Sequence, residues 1–279
     1  MSNKSINALL MTAICCLSFC SSKVKTEKIV TEKIVIINSG VKDKAKSLAK
    51  KIAIIDSLNP RVLALDFAIY ATNDPYGDSL LIATLSRCKN LVMGVGIVNY
   101  TGRDTVYSEV LGTEPEFWTK NAKIGYTNVK VENDQFGTAK KISIYENVSG
   151  FRMYNLAVRT AMSYDSLKTM AYIKDKPRII DIEYRGGDSN FRTIPYEDVF
   201  KKRLTRKDIE GKIVFIGYLE AFKGYKERHD KDVSLKGYKG HYDEDVSFTP
   251  LNNKIPPYKP DMHGVVVLAN IVAQVLGEK

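Results

Sequence analysis

Ile34-Val-Ile-Ile37 is an unbroken β-branched run, closed by Asn38-Ser39-Gly40. A run of this kind suits a strand buried on both faces. From Lys42 to Leu58 the apolar residues fall at Ala45, Leu48, Ala49, Ile52, Ile55 and Leu58, with lysines filling the outward face. That spacing follows the helical period. Asn59-Pro60 stops the helix, because the residue before a proline disfavours helical dihedrals. Val62-Leu-Ala-Leu65 then reads as a second buried strand, ending in Asp66. Strand, helix and strand in this order make a βαβ unit, whose strands are expected to be parallel.

The pattern continues outward. A helix is expected over Asp78–Cys88 and a strand over Leu91–Val95, with later strands over Arg178–Glu183 and Lys212–Ile216. A closing helix runs from about His263 to Leu276, with Val266, Val267, Asn270, Ile271, Gln274 and Val275 along its turns. The expected fold is therefore α/β, a mostly parallel central sheet flanked by helices. Ile124–Val129 and Lys140–Tyr145 read instead as an antiparallel hairpin-type excursion. Arg152 to Ala161 reads as a helix packing Met153, Leu156, Ala157 and Thr160 into the core. No internal repeat or low-complexity stretch interrupts residues 34–279, which are expected to form one domain.

The 279 residues carry a net charge of +10, enough to raise the question of a nucleic-acid or lipid partner. Much of the excess lies near the start, between Lys23 and Lys51, while Lys223–Asp245 interleaves six basic with six acidic side chains. No helix-turn-helix, zinc-finger spacing or aromatic RNA-binding signature accompanies the charge, so nucleic acid is not an expected partner. A solvated surface near a membrane is the simpler reading.

Residues 1–20 stand apart. Lys4 precedes the apolar run Ala8–Cys20, which has the length of an export-signal core and is short of a spanning helix. Leu17-Ser18-Phe19-Cys20 is similar to the lipobox of bacterial lipoproteins, although Phe19 stands where a small residue is expected. Lipidation at Cys20 and an uncleaved short anchor are both open. Residues 21–33, polar and charged, read as a tether. Membrane lipid is thus one expected partner. Cys15, Cys16 and Cys20 lie in the leader, which leaves Cys88 alone in the body, without a disulfide partner or a cysteine-based metal site. Cys88 is expected to be a core thiol.

In open α/β sheets ligands settle beyond the carboxyl ends of the strands. Those positions hold Asn38 and Ser39, Asp66, Asn73-Asp74, Gly94, Gly96 and Asn99, and Gly217-Tyr218. The candidate ligand-binding residues are Asn38, Asp66, Asn73, Asp74, Asn99 and Gly217, against the plainer reading that such residues cap helices and close turns. Gly94-Val-Gly96 lacks the rest of a dinucleotide fingerprint, no phosphate loop occurs, and no cofactor is expected. His229 and His241, twelve residues apart among aspartates, match no metal-ligand spacing, so no metal is expected. His263 could cap the last helix or pair with Asp261. No nucleophile elbow or kinase loop appears.

A set of segments in one order resembles the type-2 CHASE domain, an extracytoplasmic sensory family of bacteria. They are Asn59–Phe67, Gly125–Asn128, Asp134–Gly137, Ile182–Gly186, Ile194–Val199, Gly211–Gly217, Thr249-Pro250 and Pro260–Asn270. Leu268 departs from the histidine common in the family before Ala-Asn. The resemblance implies a sensor or binding module for a small ligand or partner protein, without a catalytic centre, held outside the cytoplasm. Members usually continue into membrane helices and an output domain, so a separate membrane signalling protein is the expected partner here. The alternative is an extracytoplasmic hydrolase or transferase using Asp66 and neighbouring acids.

Overall fold

The computed structural model describes residues 29–39, 44–100, 106–131, 137–201, 203–219, 246–247, 249–251 and 261–278. The leader with Cys20 lies outside the described residues, as do His229 and His241 in the charged 223–245 segment. Chain order begins with strand β1 (Ile34–Asn38), helix α1 (Ala45–Ser57), β2 (Val62–Leu65), α2 (Pro75–Arg87), β3 (Leu91–Tyr100) and β4 (Val106–Gly112). β5 (Lys123–Tyr126), β6 (Lys130–Val131), β7 (Ala139–Ser143), β8 (Tyr145–Val148) and β9 (Phe151–Tyr154) follow. Next come α3 (Leu156–Tyr164), α4 (Ser166–Ile173), β10 (Ile179–Asp181), β11 (Arg192–Ile194), α5 (Tyr196–Phe200) and α6 (Arg206–Ile209). The last elements are β12 (Ile213–Gly217), β13 (Val246–Ser247), β14 (Met262–His263) and α7 (Gly264–Val275).

The main sheet has strand order β11-β1-β12-β2-β3, all parallel, and β5 extends it in parallel from β3. The expected α/β sheet is present. β1 and β2 are parallel as anticipated, but β12 lies between them. Alternate residues of each central strand enter two cores. Ile34, Ile36, Val62, Ala64, Ile213 and Phe215 meet α3 and α7 on one face. Val35, Ile37, Leu63, Leu65, Val214 and Ile216 meet α1, α2, α5 and α6 on the other. Period-two alternation with both sides apolar is what a strand sandwiched between helix layers requires. α7 is buried on every side from Val265 to Val275, as a helix with apolar residues all round should be.

Several expectations need correction. α2 begins at Pro75, three residues earlier than its apolar pattern, because Asp74 caps it by accepting from the Gly77 N–H at 3.0 Å. Residues 151–154 form strand β9 rather than a first helical turn, and Asn155 caps α3 through the Ala157 N–H. The strand at 179–181 is outside the parallel sheet: β10 pairs antiparallel with β7 in a three-stranded sheet ordered β10-β7-β6. The antiparallel hairpin is thus β6 with β7, while β5, taken as its first arm, belongs to the main sheet. Lys51 is not on an outward face. It is fully buried, donating to the Ser39 carbonyl, with its ammonium 3.8 Å from the Tyr196 ring centre.

β3 changes partner along one edge, from β2 to antiparallel β4. β4 continues to β8 and β9, and a bridge between Tyr126 and Asn155 returns from the end of β9 to β5. This closes a ring of five strands around Val95, Ile97, Val148 and the buried Tyr126, whose hydroxyl donates to the Ser143 carbonyl.

Candidate functional site

β1, β12 and β2 end side by side. The Ser39 N–H donates to the Gly217 carbonyl (2.8 Å), and the Asp66 N–H to the Ile216 carbonyl (2.9 Å). These bonds fix where Asp66 and Tyr218 leave the sheet. Beyond the strand ends lies a groove of about 400 Å³. Its lining includes Asp66, Phe67 and Tyr70, the glycines Gly94 and Gly96, and Thr127, Tyr218 and Ser247. Gly264, Val267 and Leu268 bring the first turns of α7 to its side. A smaller recess of about 90 Å³ shares Phe67, Tyr70 and Tyr218 with it and reaches Ser39 and Thr72. Among the described lining residues of the groove, Asp66 is the one carboxylate, set amid aromatic rings and hydroxyls. Such a cleft can hold a small polar ligand.

The strand-end candidates do not all converge. Asp66 lines the groove, whereas Asn38 is buried at the end of β1 opposite Gly217 in register. Asn73 is exposed on the loop before α2, and Asp74 caps that helix. The Asn99 backbone lies in β3, while its side chain is outside the described residues. Gly217 serves packing: a Cβ there would sit 2.7 Å from the Val265 Cβ, so its lack of a side chain lets the start of α7 approach β12. Cys88 is buried and its thiol bonds the Thr84 carbonyl. Burial, reinforced by Asp56, pushes that thiol up to about 12. Among the described residues, no group of three or more His, Cys, Asp or Glu side chains is placed to hold a metal.

His263 does not cap α7 through its side chain, nor does it pair with Asp261. Its Nδ1 meets the Asp188 carboxylate, and Asp261 instead accepts from the Thr249 N–H and hydroxyl. Tyr184, beside this cluster, has its phenol pushed up by burial and then by Asp261.

The residues that sequence reasoning passed over are the two amides of α7. Asn270 Oδ1 accepts from the Arg185 and Gly186 N–H groups (2.8 and 3.3 Å), and its Nδ2 donates to the Gly186 carbonyl (3.0 Å). One turn on, Gln274 accepts from the Glu183 N–H (3.0 Å) and donates to the Asp181 carbonyl and the Tyr172 hydroxyl (2.9 Å each). Two amides four apart in an otherwise apolar helix were the available signal. A buried polar group must find partners. The far end of α7 carries Glu278, which bonds Lys33 (2.8 Å) and Thr31 (3.2 Å), next to where the chain enters β1.

Among the described residues, no helix is long and apolar enough to cross a membrane. A family model described as the CHASE2 domain matches residues 32–279. No curated protein matches, and no solved structure matches.

Proposed function

The chain belongs to the CHASE2 family of extracytoplasmic sensory domains, and from that premise we propose that it is a membrane-tethered sensor signalling through a separate membrane protein. The carrying observation is the course of α7. Its first turns wall the strand-end groove, and the chain leaving its last turn places Glu278 on Lys33, at the start of β1. The helix has twelve residues, so it spans about 18 Å between those two ends. A ligand held by Asp66 and the surrounding hydroxyls would press on Val267 and Leu268. α7 is tied through Asn270 and Gln274 to residues 181–186, so it would move with that segment as one packed body. The displacement would then reach Lys33 and the tether. The apolar run 8–20 supplies the membrane attachment in this reading, by lipidation at Cys20 or as a short anchor. A hydrolase or transferase would need a second reacting group beside Asp66. The described lining residues place no other carboxylate, histidine or lysine in the groove.

Transmission can be tested without a ligand. Leu268→Trp adds bulk at the groove end of α7, and the measurement is hydrogen exchange on the full chain. The reading expects faster exchange both in the first turn of α7 and in residues 30–37. A change confined to the groove end would refute it. Mass spectrometry of the mature amino terminus tests the attachment.

A further inference from the structure

α4 has two unlike sides. Its inner side holds the buried Thr169, and Tyr172, whose hydroxyl accepts from Gln274 of α7. Its outer side presents Leu167, Met170 and Ala171, at helical spacings of three and four. Leu167 is 85% exposed and Met170 48%. A lone surface leucine needs no explanation; the position of this stripe does. α4 lies at the end of the domain where the tether joins it. Lys168, in its first turn, comes within 4 Å of the Cβ position of Gly277, and the neighbouring Glu278 bonds Lys33 and Thr31. Tyr164 and Asp165, which lead into α4, are close enough to Lys33 to act on its charge.

Chain length converts this neighbourhood into an orientation. Eight residues, 21–28, separate Cys20 from Ile29, the first residue described. Fully extended, this stretch carries Ile29 roughly 32 Å from Cys20 at most. A compact body of this size is about 45 Å across. With residues 8–20 held in a bilayer, the tether is too short for the domain to turn its opposite end to the lipid. The Lys33 end, and α4 with it, must lie near the headgroups.

We propose that the outer face of α4, Leu167 with Met170 and Ala171, rests in the lipid interface and fixes the domain against the membrane that anchors it. This rests on the tethered reading given above. The contact is apolar rather than electrostatic. Among the described residues of this end, Lys33, Lys168, Lys174 and Lys176 are matched by Glu32, Asp165, Asp175 and Glu278; the tether adds Lys23, Lys25 and Lys28, whose attraction to anionic lipid is screened by salt while an apolar contact is not. An apolar stripe on a short helix lying in the interface plane is a known mode of membrane contact.

The test uses the full chain with Leu167→Trp, and Met170→Trp as a second reporter. Each is reconstituted with phosphatidylethanolamine–phosphatidylglycerol vesicles carrying brominated acyl chains. The parent protein, with Trp118 as its single tryptophan, gives the background. The expected result is blue-shifted added emission, quenched about twofold by the brominated lipid, and little changed by molar salt, which screens charge. Vesicle-bound protein whose reporters at both positions stay unquenched overturns the α4 contact and leaves the anchor standing. Quenching abolished by salt also overturns it, in favour of a charged surface. Protein that fails to float with vesicles overturns both the contact and the tethered reading.

Discussion

Asn270 and Gly186 exchange two hydrogen bonds across 84 residues of sequence: the Gly186 N–H donates to Asn270 Oδ1, and Asn270 Nδ2 donates to the Gly186 carbonyl. With the further bonds from the Arg185 N–H and to the Val266 carbonyl, the amide is used on both sides while fully buried. Gly186 has no room for a side chain, since a Cβ would meet Asn190 at 2.4 Å.

Asn270→Ala would strand the Arg185 and Gly186 N–H groups and the Gly186 carbonyl. Each unsatisfied buried group costs about 1–3 kcal/mol before relaxation, so a total loss of about 3 kcal/mol is expected. In a domain of this size that lowers Tm by roughly 6–10 °C. Urea unfolding of the variant beside the parent checks it, and a loss below about 1 kcal/mol would show that the tie contributes little.

Gly217→Ala should displace the start of α7, because the added methyl meets Val265 at 2.7 Å. Overpacking of this kind typically costs about 1–3 kcal/mol. The sign is what matters. Exchange should rise at Gly264–Val267 with β1, β12 and β2 still protected, and uniform loosening of the sheet would contradict the close-approach account.

Cys88 should react only on unfolding. Its thiol is raised from the ordinary 9.0 to about 12, so near about pH 8 it stays protonated in the folded protein. Peptide mapping after maleimide treatment should find Cys88 unlabelled in the native protein and labelled in urea. The unfolded chain loses this proton first, so the thiol's contribution is fully present below 9.0 and lost as pH climbs from there towards about 12. Cys88→Ala should flatten that alkaline decline in Tm. An equal slope in parent and variant would refute the linkage.

The parallel sheet was legible because β1, β2 and β12 are short, almost wholly apolar runs, buried at every position. Such runs have few other homes. Strand order was not legible: nothing local in Ile213–Gly217 says that it inserts between β1 and β2. Residues 152–154 were misread because they alternate too briefly to separate the two periods. Of the groove lining, Asp66 was legible from its position after a buried strand. Asp74 and Gly217 were singled out by the same logic, and the one caps a helix while the other allows a close helix approach. Residue type alone does not separate a capping aspartate from one that lines a groove. Lys51 shows the converse, since a lysine on a basic stretch carries no local sign that Tyr196, 145 positions later, will cover it.

The closure of β3, β4, β8, β9 and β5 on themselves through Tyr126 and Asn155 also governs what kind of association is open to this molecule. Main-chain amides used up within a ring cannot template another chain. Of these strands β3 has ladder partners on both of its edges, so strand donation by a neighbour is blocked there. Whatever the domain recruits over that strand must be recognised by the chemistry of its side chains.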